Sequence, residues 1–284
     1  MKILIIRLSS IGDIVLTSPV LRCIKNAQPK VELHYLTKPA FVSLLQNNVY
    51  IDKIHEYKPN NITNLKQEKF DYIIDLQHNL RSIRLTQHLH VPTNRLKKLD
   101  FQKWLFVNLK INILPGIHIV DRYLACTKKL PFIVSNDHKG LDFFLSEADF
   151  TPIYHLFDSP FVAIAMGSQH ATKQIPIEKL TDICRHLSPT IVLLGGKEDY
   201  DNGEKLRLQL PEKKIYNLCG ALTINQSAAC ISRANVLLTG DTGLMHIAAA
   251  LQIPIVSLWG NTVPAFGMYP YTDKNNYDIL EIKN

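Results

Sequence analysis

Short apolar runs of strand length alternate with stretches of helical period along this chain, and that alternation limits its fold more than any other feature. The runs fall at 2–6, 31–36, 72–76, 161–165, 190–194, 236–239 and 254–258, with one more beginning at 278. Helix-period segments lie between them, among others at 18–26, 177–187, 203–210 and 242–251. Strands apolar on both faces and separated by helices assemble into parallel sheets covered on both sides. The expected fold class is therefore α/β with doubly wound parallel sheets. The rhythm starts at the first residue, slackens at 149–160 around Pro152 and Pro160, and restarts at Phe161. This divides the chain into domains 1–155 and 156–284.

A chain of 284 residues with 46% apolar content can bury two cores of ordinary size. It has no apolar run of 18 residues, so no spanning helix is expected. The chain enters its first strand at Lys2, too early and too short for a leader peptide. Cys23, Cys126, Cys184, Cys219 and Cys230 show neither CxxC nor His/Cys ligand spacing. They read as small buried thiols of a reducing cytoplasm, not as disulfides or a zinc site. The net charge of +7 is uneven: residues 1–155 carry 21 Lys/Arg against 13 Asp/Glu, the rest 11 against 12. A basic half fits an anionic partner, whether phosphorylated lipid, membrane surface or nucleic acid, although any single lysine is better read as solvated surface. With no nucleic-acid motif and no interleaved aromatics, nucleic acid is set aside.

In a doubly wound sheet, ligands bind in the loops that follow the strands, and the polar clusters of this sequence fall there. After the first strand, Arg7-Leu8-Ser9-Ser10-Ile11-Gly12-Asp13 lacks the GxGxxG spacing, which disfavours NAD chemistry. Asp13 in that turn either accepts a proton as a general base or caps the next helix. After 72–76, Arg81 and Arg84 share a helix face and, with Arg95, Lys97, Lys98 and Lys103, can form an anion pocket or a solvated surface. Gly167 and Ser168 make an accessible turn, and Lys173 stands where a long cation reaches a phosphate or merely faces solvent. Gly195-Gly196-Lys197-Glu198-Asp199 suits a ribose, weakly. The last loop, Gly240-Asp241-Thr242-Gly243-Leu244-Met245-His246, leads into a small-residue helix. A helix N-terminus offers unpaired N–H groups and partial positive charge to an anion. The alternative is an ordinary helix start capped by Asp241 or Thr242.

Taken together, these loops resemble the heptosyltransferases of glycosyltransferase family 9. The resemblance rests on Ser9 to Leu21, on Asp75-Leu76-Gln77, on Lys173, on the Gly240-to-Leu251 block and on Trp259-Gly260-Asn261-Thr262. It implies a GT-B architecture, two Rossmann-like domains around a central cleft, the first for the acceptor and the second for the nucleotide sugar. It implies inverting, metal-independent transfer of heptose from ADP-heptose to the inner core of lipopolysaccharide, with no further cofactor. The enzyme would work in the cytoplasm, peripheral on the inner face of the membrane. By the same resemblance Asp13 is the base, and Lys173, Thr242, Gly243 and His246 hold the donor diphosphate. Asp241 and Glu198 meet the donor sugar and ribose, and Arg81 and Arg84 meet the acceptor. No Asp-x-Asp pair is read in a loop suited to a metal. Members of the family run on for several dozen residues beyond Thr262, so the second domain is expected to be incomplete at its C-terminus. Two other readings stay open: a GT-B transferase for a different nucleoside-diphosphate sugar, and an inactive homologue that only binds sugar nucleotide or lipopolysaccharide.

Overall fold

The computed structural model describes residues 1–58, 62–156, 159–167, 175–260 and 262–281. The chain divides into two compact units, Met1–Phe144 with Ala265–Met268, and Leu145–Pro264 with Tyr269–Asn284. The first carries β1 (Lys2–Ile6), β2 (Glu32–Thr37), β3 (Lys53–Glu56), β4 (Tyr72–Asp75) and β5 (Thr93–Arg95), ordered β3-β2-β1-β4-β5. Its helices are α1 (Ile11–Val15), α2 (Ser18–Ala27), α3 (Ile62–Gln67), α4 (Leu80–Leu89), α5 (Asp100–Leu109) and α6 (Ile119–Leu124). The second carries β6 (Phe161–Ala165), β7 (Thr190–Leu194), β8 (Ile215–Asn217), β9 (Val236–Thr239), β10 (Ile255–Trp259) and β11 (Tyr277–Glu281). These are ordered β11-β10-β9-β6-β7-β8, with helices α7 (Ile177–His186), α8 (Tyr200–Gln209), α9 (Ile224–Ile231) and α10 (Gly243–Ala250). Every strand pairing is parallel, as the sequence pattern requires.

The central strands are buried on both faces. Leu4 and Ile6 pack with Leu65, Leu85 and Leu89 of α3 and α4, while Ile3 and Ile5, on the opposite face of the pleat, are equally inaccessible. Each such side chain contributes roughly 1.5–3 kcal/mol of burial. In the second unit, Val162 and Ile164 pack with Leu180 and Cys184 of α7 and Leu206 of α8. Ala163 and Ala165 occupy the other face of the same strand and are buried as well. All five cysteines are buried and free, and burial pushes the thiols of Cys126, Cys219 and Cys230 up to about 12.

Strand order decides where a ligand can sit. The first unit begins with β1, adds β2 and β3 on one side, and then places β4 on the other. The second begins with β6, adds β7 and β8, and then places β9 across from them. Helical crossovers leave these strand pairs in opposite directions, so a crevice opens at the carboxyl ends of β1 and β4, and of β6 and β9. The turns that follow these four strands are the loops singled out above. Among the described residues no helix is long and apolar enough to cross a membrane.

Candidate functional site

In the first unit the turn after β1 is tied to the turn after β4. The Gln77 side-chain oxygen accepts the N–H of Leu8 (2.8 Å) and of Ser9 (3.3 Å). Arg7 donates to the Leu76 carbonyl (2.7 Å) and the Ser9 carbonyl (2.8 Å), and pairs with Asp13 Oδ2 at 2.6 Å. Asp75, fully buried, accepts the N–H of Gln77 and His78 and the Ser82 hydroxyl, which fixes the entry into α4.

Of the two roles that the sequence leaves open to Asp13, the structure shows the cap. It is the third residue of α1 and forms a capping box with Ser10, whose N–H and hydroxyl reach Oδ2 at 3.2 and 3.0 Å. Its other oxygen, Oδ1, meets the Tyr123 hydroxyl at 3.5 Å. The carboxylate is 18% exposed. Burial by itself would raise its pKa, but the Arg7 charge and the Ser10 hydrogen bonds outweigh that and hold it below the usual carboxylate range. Asp13 is thus ionised at neutral pH, with Arg7 and Ser10 on Oδ2 and the Tyr123 hydroxyl on Oδ1. Sequence pattern does not mark Arg7, Tyr123 or Gln77 as site residues. Tyr123 lies 110 residues from Asp13, a distance no local pattern bridges.

Arg81 and Arg84 lie exposed on α4, one turn apart, as their spacing predicts. Arg95 does not join them: its guanidinium donates to Thr86 (2.6 Å) and lies 3.8 Å from Asp75. Lys103 is also engaged elsewhere, with its ammonium 5.0 Å from the centre of the Phe266 ring. The proposed anion pocket is therefore smaller than the run of basic residues suggests.

In the second unit the turn after β9 opens into α10 with Thr242 as its N-cap, and the hydroxyl accepts the Met245 N–H at 3.4 Å. Thr239, the last residue of β9, steadies that hydroxyl at 2.9 Å. The amides of Gly243 and Leu244 come ahead of any intrahelical acceptor, as at every helix start. Asp241 is half-buried in the turn itself, whereas His246, within α10, is 2% exposed. Gly167 lies two residues beyond the end of β6, and a Cβ there would overlap the Asp199 carboxylate. Asp199 is buried and caps its own turn by accepting the Gly196 N–H at 2.8 Å, while Glu198 beside it is exposed. Burial raises the Asp199 pKa, and the nearby Glu198 adds to that.

Residues 199–201 spell Asp-x-Asp, but where a turn runs into α8 and not within a loop. The two side chains diverge: Asp199 turns to backbone, and Asp201 is exposed in the first turn of α8. Lys173 lies outside the described residues. The described residues also hold a His34, His55 and Glu68 cluster with ligand-type atoms within 4.8 Å of one another. Lys2 and Lys53 both pair with Glu68, and the two rings are hydrogen-bonded at 2.8 Å, so the group is balanced as an ion-pair network.

The fold is that of the GT-B glycosyltransferases. A solved structure of a family 9 glycosyl transferase from Veillonella parvula superposes with TM-score 0.82 at 23% identity, covering 99% of this chain and 86% of that one. The ADP-heptose lps heptosyltransferase II of E. coli gives 0.77 at 20%, covering 99% and 90%. In sequence, lipopolysaccharide heptosyltransferase 1 of Campylobacter coli is 24% identical over 296 residues, 92% of this chain and 84% of the relative. The model of glycosyltransferase family 9 (heptosyltransferase) matches residues 61–283, and the chain belongs to that family. It is a glycosyltransferase.

Proposed function

We propose that the protein transfers heptose from ADP-heptose to a hydroxyl of the lipopolysaccharide inner core, with inversion and without a metal. The observation that carries this reading is the N-terminus of α10, capped by Thr242 and placed at the strand reversal between β6 and β9 in a family 9 chain. Such an end suits a diphosphate, and the donor named for the E. coli neighbour is ADP-heptose. The acceptor class follows the Campylobacter coli relative.

In this scheme the second unit holds the donor. Thr242, Gly243, His246 and the amides of the first turn meet the diphosphate, together with Lys173 from the stretch of sequence that follows β6. Asp241 and Glu198 serve the heptose and ribose. Arg81 and Arg84 of the first unit bind the anionic acceptor, which would draw the enzyme to the inner face of the membrane. The acceptor oxygen attacks the anomeric carbon, the bond from that carbon to the diphosphate oxygen breaks, and the hydroxyl proton passes to Asp13 Oδ1. ADP leaves with the added negative charge, which the α10 terminus stabilises.

A thermal-shift series with ADP, UDP and GDP tests the donor half. Ligand that binds the folded state raises its stability by about 2.7 kcal/mol at a hundredfold excess over Kd. A selective rise with ADP is expected; a rise with UDP or GDP alone overturns the choice of donor. The anomeric configuration of the product, read by NMR, decides inversion.

A further inference from the structure

The apolar segment that starts at α5 is not absorbed by this scheme. No residue of α5 is buried, and Phe101, Trp104 and Val107 stand 65%, 53% and 54% exposed. Spaced three residues apart, they form one continuous stripe along the helix. The chain then continues through Ile111, Ile113 and Ile117, each close to half exposed. Seven of the fifteen exposed large hydrophobic side chains among the described residues fall in 101–117. The helix is anchored from its other side, where the Phe106 ring packs edge-on against Phe266 at 5.8 Å and Lys103 covers the same ring.

Apolar patches of this extent on a folded surface mark an interaction site. The surrounding charge selects the occupant. Residues 78–130 hold ten Lys/Arg against two Asp/Glu, an excess of eight, more than the net +7 of the whole chain. Lys97 and Lys98 just before the helix, and Lys110 at its end, are exposed. An aromatic and aliphatic stripe flanked by lysines matches the boundary layer of an anionic bilayer, apolar inside and negative at the headgroups. A protein partner of ordinary composition would not require so one-sided a charge.

We infer that α5 and residues 110–117 form an interfacial docking surface that lays the first unit on an anionic lipid bilayer. The inference gains a purpose from the proposed lipid-linked acceptor but is measured without donor or acceptor, so its failure leaves the transfer reading standing. Trp104 and Trp259 are the two tryptophans, and Trp259 is 2% exposed, so fluorescence changes at the surface report Trp104.

The test uses the whole chain with vesicles of phosphatidylcholine, with or without phosphatidylglycerol. Binding to the anionic vesicles is expected, with blue-shifted emission quenched by brominated acyl chains. Phe101→Glu/Val107→Glu should lower vesicle affinity by tenfold or more, on the order set by losing two buried apolar side chains. Lys97→Ala/Lys98→Ala should lower it roughly fivefold per lysine, and less at high salt. An unchanged ADP thermal shift in both variants shows that they are folded. The inference is overturned if anionic vesicles do not bind, if binding leaves the emission unmoved, or if the stripe variant binds like the parent. It is equally overturned if Trp104 becomes buried with rising protein concentration alone, which would assign the stripe to a second copy.

Discussion

The two units reverse their strand order in the same way and fill the resulting crevice with opposite materials. Beside β1 and β4 the turns are packed with side chains that bind one another: Gln77 joins the two loops, and Arg7 links Leu76, Ser9 and Asp13. Beside β6 and β9 the turns are built from Gly167, Gly240 and Gly243, with the acidic group Asp199 drawn back under the backbone. One topology thus serves to immobilise a single carboxylate and, in the other unit, to bring glycines and a Thr242-capped helix start to the strand ends. A base is useful only if its proton-accepting oxygen is held still, whereas a diphosphate is recognised by amides that no side chain covers.

Replacing Arg7 breaks the first crevice most severely. Arg7→Met leaves the Asp13 carboxylate without its charge partner and should remove about 3 kcal/mol of stability, measured by urea unfolding. The pH dependence follows with a definite sign. In the parent, Asp13 has a folded pKa below its unfolded value, so its stabilising contribution is present above the usual carboxylate range and is lost as pH falls through the folded value. Without Arg7, burial dominates, and the acid limb of the rate profile moves to higher pH. A limb that stays in place would mean that another group is the base.

Asp13→Asn should lower turnover by roughly 10²-fold or more, the usual range for a general base, while the ADP thermal shift persists. Loss of the thermal shift together with turnover would erase the division of labour between the units. The corresponding change in the second unit is smaller. Gly167→Ala places a methyl against Asp199 and should weaken ADP binding about tenfold by calorimetry, without moving the acid limb. Smallest is Thr242→Ala, which removes the cap on Met245 and should reduce stability by about 1 kcal/mol. An effect on turnover far beyond that would make the hydroxyl a ligand contact as well as a cap.

Most of the sheet framework is legible in the sequence because the central strands carry unbroken apolar runs. The segments 2–6, 161–165, 190–194 and 236–239 coincide with β1, β6, β7 and β9. The strands that pattern reading misses are β3, β5 and β8, all at sheet edges, short and half polar, as in Thr93-Asn94-Arg95. Edge strands need to satisfy only one neighbour and bury less, so they leave little periodicity to read. The site follows the same rule. The positions of Asp13, Thr242 and Gly243 are legible because they stand where a strand meets a helix. The partners that set the behaviour of Asp13 are not: Arg7 looks like the end of a strand, and Tyr123 arrives from α6. Between Glu198 and Asp199, position gives no choice, and only burial separates the exposed carboxylate from the one used by the fold.

The five buried thiols turn the molecule into its own stopwatch. Cys23 and Cys126 lie in the first unit, Cys184, Cys219 and Cys230 in the second, and burial keeps them protonated and shielded. Each can react with a soluble thiol reagent only when its surroundings open, so labelling rates read the local opening equilibria residue by residue. Added nucleotide should slow the three clocks of the second unit and leave the two of the first running at their own pace.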